Sequence, residues 1–330
     1  MEKEAAMTVR KAKSYAIGVD LGATTIKAGI VDQKGVILDH IVADAKASKG
    51  PKLVTQQIIY AIQELFSKHN PAECFGIGIG SPGIVSIEDG TVHHPPNFAD
   101  WSEVPLAKLV RKVFTHPVFI ENDANCAAIA ELRYGAGTDS KDFIFVIWGT
   151  GVGGGIILDR KVYRGPFGGA GEIGHVSIDY DGKQCNCGNR GCIEAYIGQR
   201  YLSQRTREIL ESLPENSPRS RIEQLVQGNL SRIEPALISE AAEDGDATAI
   251  EILEEAGTLL GYALASVINI LDIRVVIIGG GISAAPQFVF KAIETSVQSR
   301  VLKPHQAGIR IRRAKLGNGA GMIGAASLVM

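Results

Sequence analysis

Cys185 and Cys187 stand two apart, Cys192 follows five residues later, and His175 precedes Cys185 by ten. Three thiolates and one imidazole make a donor set for tetrahedral zinc. Gly182, Gly188 and Gly191 allow the tight wrapping that a CxC pair needs. Glu172 and Glu194 flank the cluster, so the stretch 171–194 suits a knot that positions something. The other two cysteines, Cys74 and Cys126, sit singly among apolar or small residues and are expected to be inert. His93, His94 and His116 are expected to be surface or loop residues, away from carboxylates and cysteines.

Two further stretches suit anions. Asp20-Leu21-Gly22-Ala23-Thr24-Thr25 places small residues where backbone N–H groups can face phosphate, with hydroxyls from Thr24 and Thr25 and charge from Lys27. Thr150-Gly151-Val152-Gly153-Gly154-Gly155 offers the same chemistry. Neither fits the GxxxxGK[ST] loop, and GVGGG does not open a helix as a dinucleotide fingerprint must. Asp123 follows an apolar run and precedes a helical one. Its carboxylate suits a helix N-cap, the reading that spacing alone favours, or a base taking a proton from an attacking hydroxyl. Asn97, Asn122, Glu172 and Glu194 fall in turns or at element ends, where amides and carboxylates can pair with vicinal hydroxyls or simply meet solvent. Trp101, near Asn97, suits a ligand wall or the core.

The elements that must carry these residues read as follows. Strands at 15–21, 25–32 and 36–43 form a meander; a helix follows Pro51, with Leu53, Ile58, Ile62, Leu65 and Phe66 at helical spacing. A strand at 75–80, a helix from Pro105, a strand at 118–121 and a small-residue helix at 126–134 complete the first half. The pattern then restarts: strand 142–148, glycine turn 149–155, strand 155–159, and a further strand from 161. DLGATTIKAGIVDQKGVI and GTGVGGGIILDRKVY share this order, which reads as an internal duplication. Helices at 201–210, 236–242 and 246–271 follow, with an exposed loop at 214–221. A buried strand at 274–278 ends in Gly279-Gly280-Gly281. A helix from Pro286, an edge-like strand at 309–313, a turn at 317–321 and a last helix at 322–329 close the chain.

A chain of 330 residues, 45% hydrophobic and 21% charged, is long enough for two substantial cores. A formal net charge of -2 gives no global pull toward nucleic acid or an anionic membrane. No apolar run reaches the roughly 18 to 20 residues that span a bilayer. The start, MEKEAAMTVRKAK, lacks the apolar core of a signal peptide and reads as a disordered leader over 1–13. A cytoplasmic, reducing location follows, which favours metal over disulfide.

Together these motifs resemble the ROK family of sugar kinases and sugar-responsive repressors, from about Tyr15 to Met330. DLGATTIK resembles its first phosphate segment, GTGVGGG its second, ENDAN its catalytic segment, and GGGI from Gly279 its adenosine turn. GEIGH followed by CNCGNRGCIE resembles its zinc and sugar motif, the most specific of the set. The resemblance implies an α/β fold, two-lobed and actin-like (ribonuclease H-like ATPase), with a duplicated β-meander and a structural zinc loop at 171–194. A smaller lobe would take 14–121 plus 319–330, and a larger one 122–318.

The resemblance also implies roles. Asp123 would be the general base. Asn97, Asn122, Asp123, Glu172, His175 and Glu194 would hold a sugar. His175, Cys185, Cys187 and Cys192 would bind Zn²⁺, with four protein ligands leaving no open position for catalysis. Asp20 would help place Mg²⁺. ATP would lie against Gly22, Thr24, Thr25, Lys27, Thr150, Gly151, Gly279, Gly280 and Gly281. The implied reaction is ATP-dependent phosphorylation of a hexose at its 6-hydroxyl, with the lobes closing on both substrates. NFADW, from Asn97 to Trp101, resembles the glucose-specific members more than the N-acetylhexosamine kinases, so glucose is expected, and a kinase of N-acetylglucosamine or N-acetylmannosamine, or another hexokinase of the family, is the alternative. A repressor is disfavoured, because about 13 residues precede the first strand and leave no room for a DNA-reading module. A dead sugar sensor is disfavoured by the intact Asp123 and turns. A homodimer or dimer of dimers is expected, without nucleic-acid or membrane partners.

Overall fold

YAIGVDL, at Tyr15–Leu21 (β1), is buried along almost its whole length, as a strand covered on both faces must be. It pairs antiparallel with Thr25–Asp32 (β2), which pairs antiparallel with Ile37–Asp44 (β3). The computed structural model describes residues 13–214 and 218–330. The expected leader lies outside the described residues except for Lys13, and so do residues 215–217 of the expected loop.

The described chain divides into two compact units, one taking it up to Ala130 and again from Gly319, the other spanning Glu131–Asn318. In the first unit the meander is followed by Pro51–Lys68 (α1), which opens on its proline and buries Val54, Ile58, Ile62 and Leu65. Cys74–Ser81 (β4) then pairs parallel with β1. Ile84–Ser86 (β5), Thr91–His93 (β6) and Glu103–Val104 (β7) form a small antiparallel sheet. Leu106–Arg111 (α2) leads to Val118–Asn122 (β8), parallel to β4, and then to Asp123–Tyr134 (α3), within which the division between units falls. The main sheet has the order β3-β2-β1-β4-β8.

The second unit repeats this plan. Phe143–Trp148 (β9), Val152–Leu158 (β10) and Lys161–Tyr163 (β11) form the meander. The zinc-type loop follows, then Glu194–Ile197 (α4), Gln199–Ser212 (α5), Arg221–Leu225 (α6), Pro235–Glu243 (α7) and Ala247–Leu271 (α8). Val275–Gly279 (β12) lies parallel to β9; Gln287–Arg300 (α9) and Lys303–Gln306 (α10) lead to Arg310–Arg313 (β13), parallel to β12. The order β11-β10-β9-β12-β13 matches the first sheet strand for strand, so the duplication read from the sequence is a duplication of topology. Among the described residues no helix is long and apolar enough to cross a membrane.

Small residues let backbones meet in the first unit. A Cβ on Gly18 would lie 1.9 Å from the Met322 carbonyl oxygen, and one on Gly78 would lie 1.8 Å from that of Ala325. The C-terminal helix Ala320–Ala326 therefore rests directly on β1 and β4.

Several expectations are corrected. The glycine turn is only Gly149–Gly151, because Val152-Gly153-Gly154-Gly155 already belongs to β10. Gly154 is small because a Cβ there would sit 2.4 Å from the Gly171 carbonyl oxygen and 2.6 Å from Ile173. Helix α3 begins at Asp123, three residues earlier than expected, since its polar first turn is a capped helix end rather than a loop. Arg221 opens a helix where a loop was expected, with Ser220 and Glu223 forming a capping box. His93 is not remote from carboxylates: β6 and β7 pair it with Glu103, Nδ1 to Oε1 3.5 Å.

Candidate active site and metal centre

In the second unit the loop after β11 folds on itself. Ser177 bridges Cys192 and Gln184 bridges Arg190, both antiparallel. The Ile178 N–H donates to the Gly191 carbonyl at 2.9 Å and the Ile193 N–H to that of Val176 at 3.0 Å. Gly188, at φ 94°, turns the chain between Cys187 and Cys192. His175, Cys185, Cys187 and Cys192 thereby converge, with ligand atoms all within 4.8 Å of one another.

Two separations test the fit to zinc. Cys187 Sγ and Cys192 Sγ lie 3.7 Å apart, and His175 Nδ1 lies 3.8 Å from Cys185 Sγ. Zn–S bonds of about 2.3 Å and a Zn–N bond of about 2.05 Å give tetrahedral edges of roughly 3.8 Å for S–S and 3.6 Å for S–N. The residues fit. The sulfurs are much farther apart than the roughly 2.05 Å of a disulfide. Without metal, burial pushes the Cys185 and Cys192 thiols up, Cys192 to about 12. Cys187 goes the other way: against its own desolvation, the Asn189 N–H and the neighbouring sulfurs hold it below the usual thiol range.

Two carboxylates lie beside this knot. Glu172 Oε2 is 4.0 Å from His175 Nε2, so the ring presents one nitrogen to the sulfurs and the other toward a carboxylate. Desolvation pushes the Glu172 pKa up; His175 opposes the rise and Glu194 adds to it. Glu194 is the first residue of α4, and its Oε2 accepts from the Val152 N–H at 2.9 Å. Immediately before Val152 lies the turn Gly149-Thr150-Gly151, closed by the Gly149 N–H on the Gly151 carbonyl at 2.9 Å.

Gly279 ends β12, the strand that pairs parallel with β9, and Gly280 and Gly281 follow it. Gly280 has φ 83°, and a Cβ there would lie 2.3 Å from the Trp148 carbonyl oxygen, whereas one on Gly281 meets nothing within 4 Å. Arg313 braces this turn: its guanidinium lies 3.9 Å over the Phe290 ring and donates to the Ser283 carbonyl.

In the first unit, Gly22 closes its turn by donating to the Thr25 carbonyl at 3.0 Å, and Thr24 is exposed at the tip. Asp20 and Lys27 are register partners across β1 and β2. Burial pushes the Asp20 pKa up, against the pull of Lys27. The carboxylate sits where a side chain on Gly321 would go, since a Cβ there would be 2.6 Å from its Cγ.

Asn122 ends β8, and its Oδ1 accepts from the Asn125 N–H at 3.1 Å. That is the N-cap bond, so the cap belongs to Asn122, while Asp123 stands at the first helical position. Asp123 is half-buried, with Oδ1 accepting from the Ala124 N–H at 2.8 Å. The Asn122 side-chain amide also donates to the Gly83 carbonyl at 3.2 Å, which fixes the turn after β4 against α3. Asn97 is exposed in the left-handed region, φ 67°, a conformation asparagine tolerates well. Trp101 belongs to the core: it is 4% exposed, stacks edge-on against Phe98 and donates from Nε1 to the Val92 carbonyl.

Two residues join the site unexpectedly: Gln199, whose backbone N–H donates to the carbonyls of both Gly149 and Thr150 at 3.1 Å, and Arg313, although RIRR beside a buried strand was a visible signal. Gln199 left none, because its contact spans about fifty residues.

The ROK family model matches residues 16–330. The chain is 33% identical over 316 residues to the glucokinase of Halalkalibacterium halodurans, covering 95% of this chain and 94% of that one. It is 30% identical over 326 residues to the xylose repressor of Caldicellulosiruptor bescii, covering 98% of this chain and 80% of the repressor. The crystal structure of a ROK family glucokinase from Streptomyces griseus, in complex with glucose and AMPPNP, superposes with a TM-score of 0.84 at 36% identity, covering 95% of this chain and 98% of that one. The duplicated sheets are therefore those of an actin-like ATPase fold.

Proposed function

The chain belongs to the ROK family, and from that premise we propose that it is an ATP-dependent hexose kinase acting on glucose. The observation that carries this reading is the pair of Gly/Thr turns, Gly22–Thr25 and Gly149–Gly151, each closing the first hairpin of one of two sheets with the same strand order. A protein that only senses sugar has no need of two phosphate-sized turns at equivalent places. Phosphoryl transfer needs alignment and charge neutralisation more than covalent chemistry, and paired turns supply both.

In this reading Asp123 takes the proton from the sugar 6-hydroxyl as its oxygen attacks the γ-phosphorus of ATP. Capping by Asn122 supports that assignment, since it relieves Asp123 of the cap. Asn97, Asn122, Glu172, His175 and Glu194 bind sugar hydroxyls. Thr24, Thr25, Lys27, Thr150 and Gly151 bind phosphate oxygens, and the Gly279–Gly281 turn takes the adenosine end. Mg²⁺, when bound with ATP, supplies charge neutralisation on the phosphates; Asp20 fits the carboxylate share of such a site, because magnesium is held by few carboxylates together with phosphates. The Cys₃His cluster is a closed structural zinc site that fixes Glu172 and Glu194 from the two ends of its loop.

The similarity to a xylose repressor shows that family membership alone does not decide between catalysis and sensing. Asp123 at the start of α3 favours catalysis. A coupled assay for ADP with ATP and a panel of glucose, N-acetylglucosamine, N-acetylmannosamine, mannose, fructose and allose tests this. The expected result is highest kcat/KM with glucose. Polyphosphate in place of ATP tests the donor. No turnover with any sugar and either donor would overturn the reading.

A further inference from the structure

The turn Gly149–Gly151 is fastened to one short segment, Glu194–Gln199. The Glu194 carboxylate accepts from the Val152 N–H at 2.9 Å. The Gln199 N–H is shared between the Gly149 and Thr150 carbonyls, each at 3.1 Å. The Trp148 indole, just before the turn, donates to the Ile197 carbonyl at 2.8 Å. The fit around the carboxylate is close, since a Cβ on Gly151 would stand 2.4 Å from Glu194 Oε2. Glycine at 151 is thus required by a side chain, and not by a positive φ.

We propose that Glu194 is a positioning residue of the Gly149–Gly151 phosphate turn, in addition to any contact it makes with sugar. This rests on the kinase reading. A hydrogen bond from a backbone N–H to a carboxylate is charge-assisted and directional. It holds the first residue of β10, and hence the exit of the turn, in one orientation. One carboxylate oxygen serves the turn, so the other is the one that meets a sugar hydroxyl. A hydroxyl on Oε1 and the Val152 N–H on Oε2 share one rigid group, so sugar and nucleotide affinities are coupled, and by linkage the coupling is equal in both directions.

Nucleotide binding without any sugar separates this role from sugar binding. Titration calorimetry of AMPPNP with Mg²⁺ would be run on sugar-free full-length protein, with zinc content and melting temperature measured on each variant. Glu194→Ala should weaken AMPPNP about tenfold or more, the scale of a lost charge-assisted hydrogen bond. Glu194→Gln, whose amide oxygen can still accept from Val152, should restore affinity to within about threefold of wild type. Glu194→Asp, whose shorter side chain withdraws the carboxylate from the Val152 N–H while leaving the turn's own residues intact, should lose affinity as Glu194→Ala does, and it decides the matter if Glu194→Ala does not fold. Wild-type AMPPNP affinity in a folded Glu194→Ala or Glu194→Asp protein would overturn the positioning role and leave the kinase reading intact. A wild-type chain that binds no nucleotide would overturn the kinase reading itself.

Discussion

Replacing Glu131 with alanine should destabilise the protein by about 3–5 kcal/mol. Glu131 lies two turns along α3 from Asp123, with no exposed surface. Its Oε2 accepts from the Ala136 N–H at 2.6 Å, and its Oε1 accepts from the N–H groups of Lys315 and Leu316, each at 2.9 Å. Three hydrogen bonds to a charged group, at about 1.5–3 kcal/mol each, set an upper range of roughly 4.5–9 kcal/mol. Alanine also removes a buried charge and leaves space that water can enter, which offsets part of that loss. Glu131→Gln should cost less, about 1–3 kcal/mol, because its oxygen can keep two donors while its amide N–H₂ faces the third. Denaturant unfolding gives the global loss, and hydrogen exchange at Ala136, Lys315 and Leu316 reports it locally. If these amides open locally, a 3 kcal/mol loss speeds their exchange by more than about a hundredfold, at 1.4 kcal/mol per tenfold. An unfolding shift below about 0.5 kcal/mol with unchanged exchange at these amides would mean that the three hydrogen bonds to Glu131 do not stabilise the fold.

Three other outcomes are expected. Purified protein should carry one zinc per chain by elemental analysis; chelation or Cys187→Ala should lower sugar affinity and melting temperature together, and stripping zinc with both unchanged would contradict the clamp. Gly324→Ala should fail to yield folded protein, because its Cβ would lie 1.7 Å from the Cys126 carbonyl oxygen; a soluble variant with wild-type melting would show that this packing yields more than expected. Burial raises the Cys74 thiol to about 11, so at pH 8 it stays protonated in the folded state. After zinc removal, peptide mapping should find Cys187 alkylated first, as the exposed cysteine with the lowered thiol, and Cys74 last.

The strands were legible because runs such as YAIGVDL and FIFVIW allow little but burial, and the duplication was legible because two hairpins share one order of strand, Gly/Thr turn and strand. The convergence of His175, Cys185, Cys187 and Cys192 was legible from spacing, since a CxC pair among glycines has few ways to fold. What escaped depends on contacts distant in sequence. VGGG reads as a turn until Gly171 and Ile173 are seen to occupy the space that side chains on β10 would need. Asp123 suits a cap in sequence, and only the Asn125 N–H on Oδ1 of Asn122 shows that its neighbour serves instead. Glu131, Gln199 and Arg313 look like ordinary polar helix and strand residues, and each acquires its role from a backbone about five to two hundred positions away. Trp101 had two readings, and the Val92 carbonyl with Phe98 decides for the core.

In the proposed kinase, turnover depends on Asp123 performing the proton transfer. The most direct measurement is steady-state turnover of Asp123→Ala with glucose and Mg-ATP, beside its melting curve and its AMPPNP affinity. The expected result is a kcat reduced by about 10²–10⁴-fold, the usual share of a general base, with melting and nucleotide binding close to wild type. Turnover near the wild-type rate in the folded variant would contradict it.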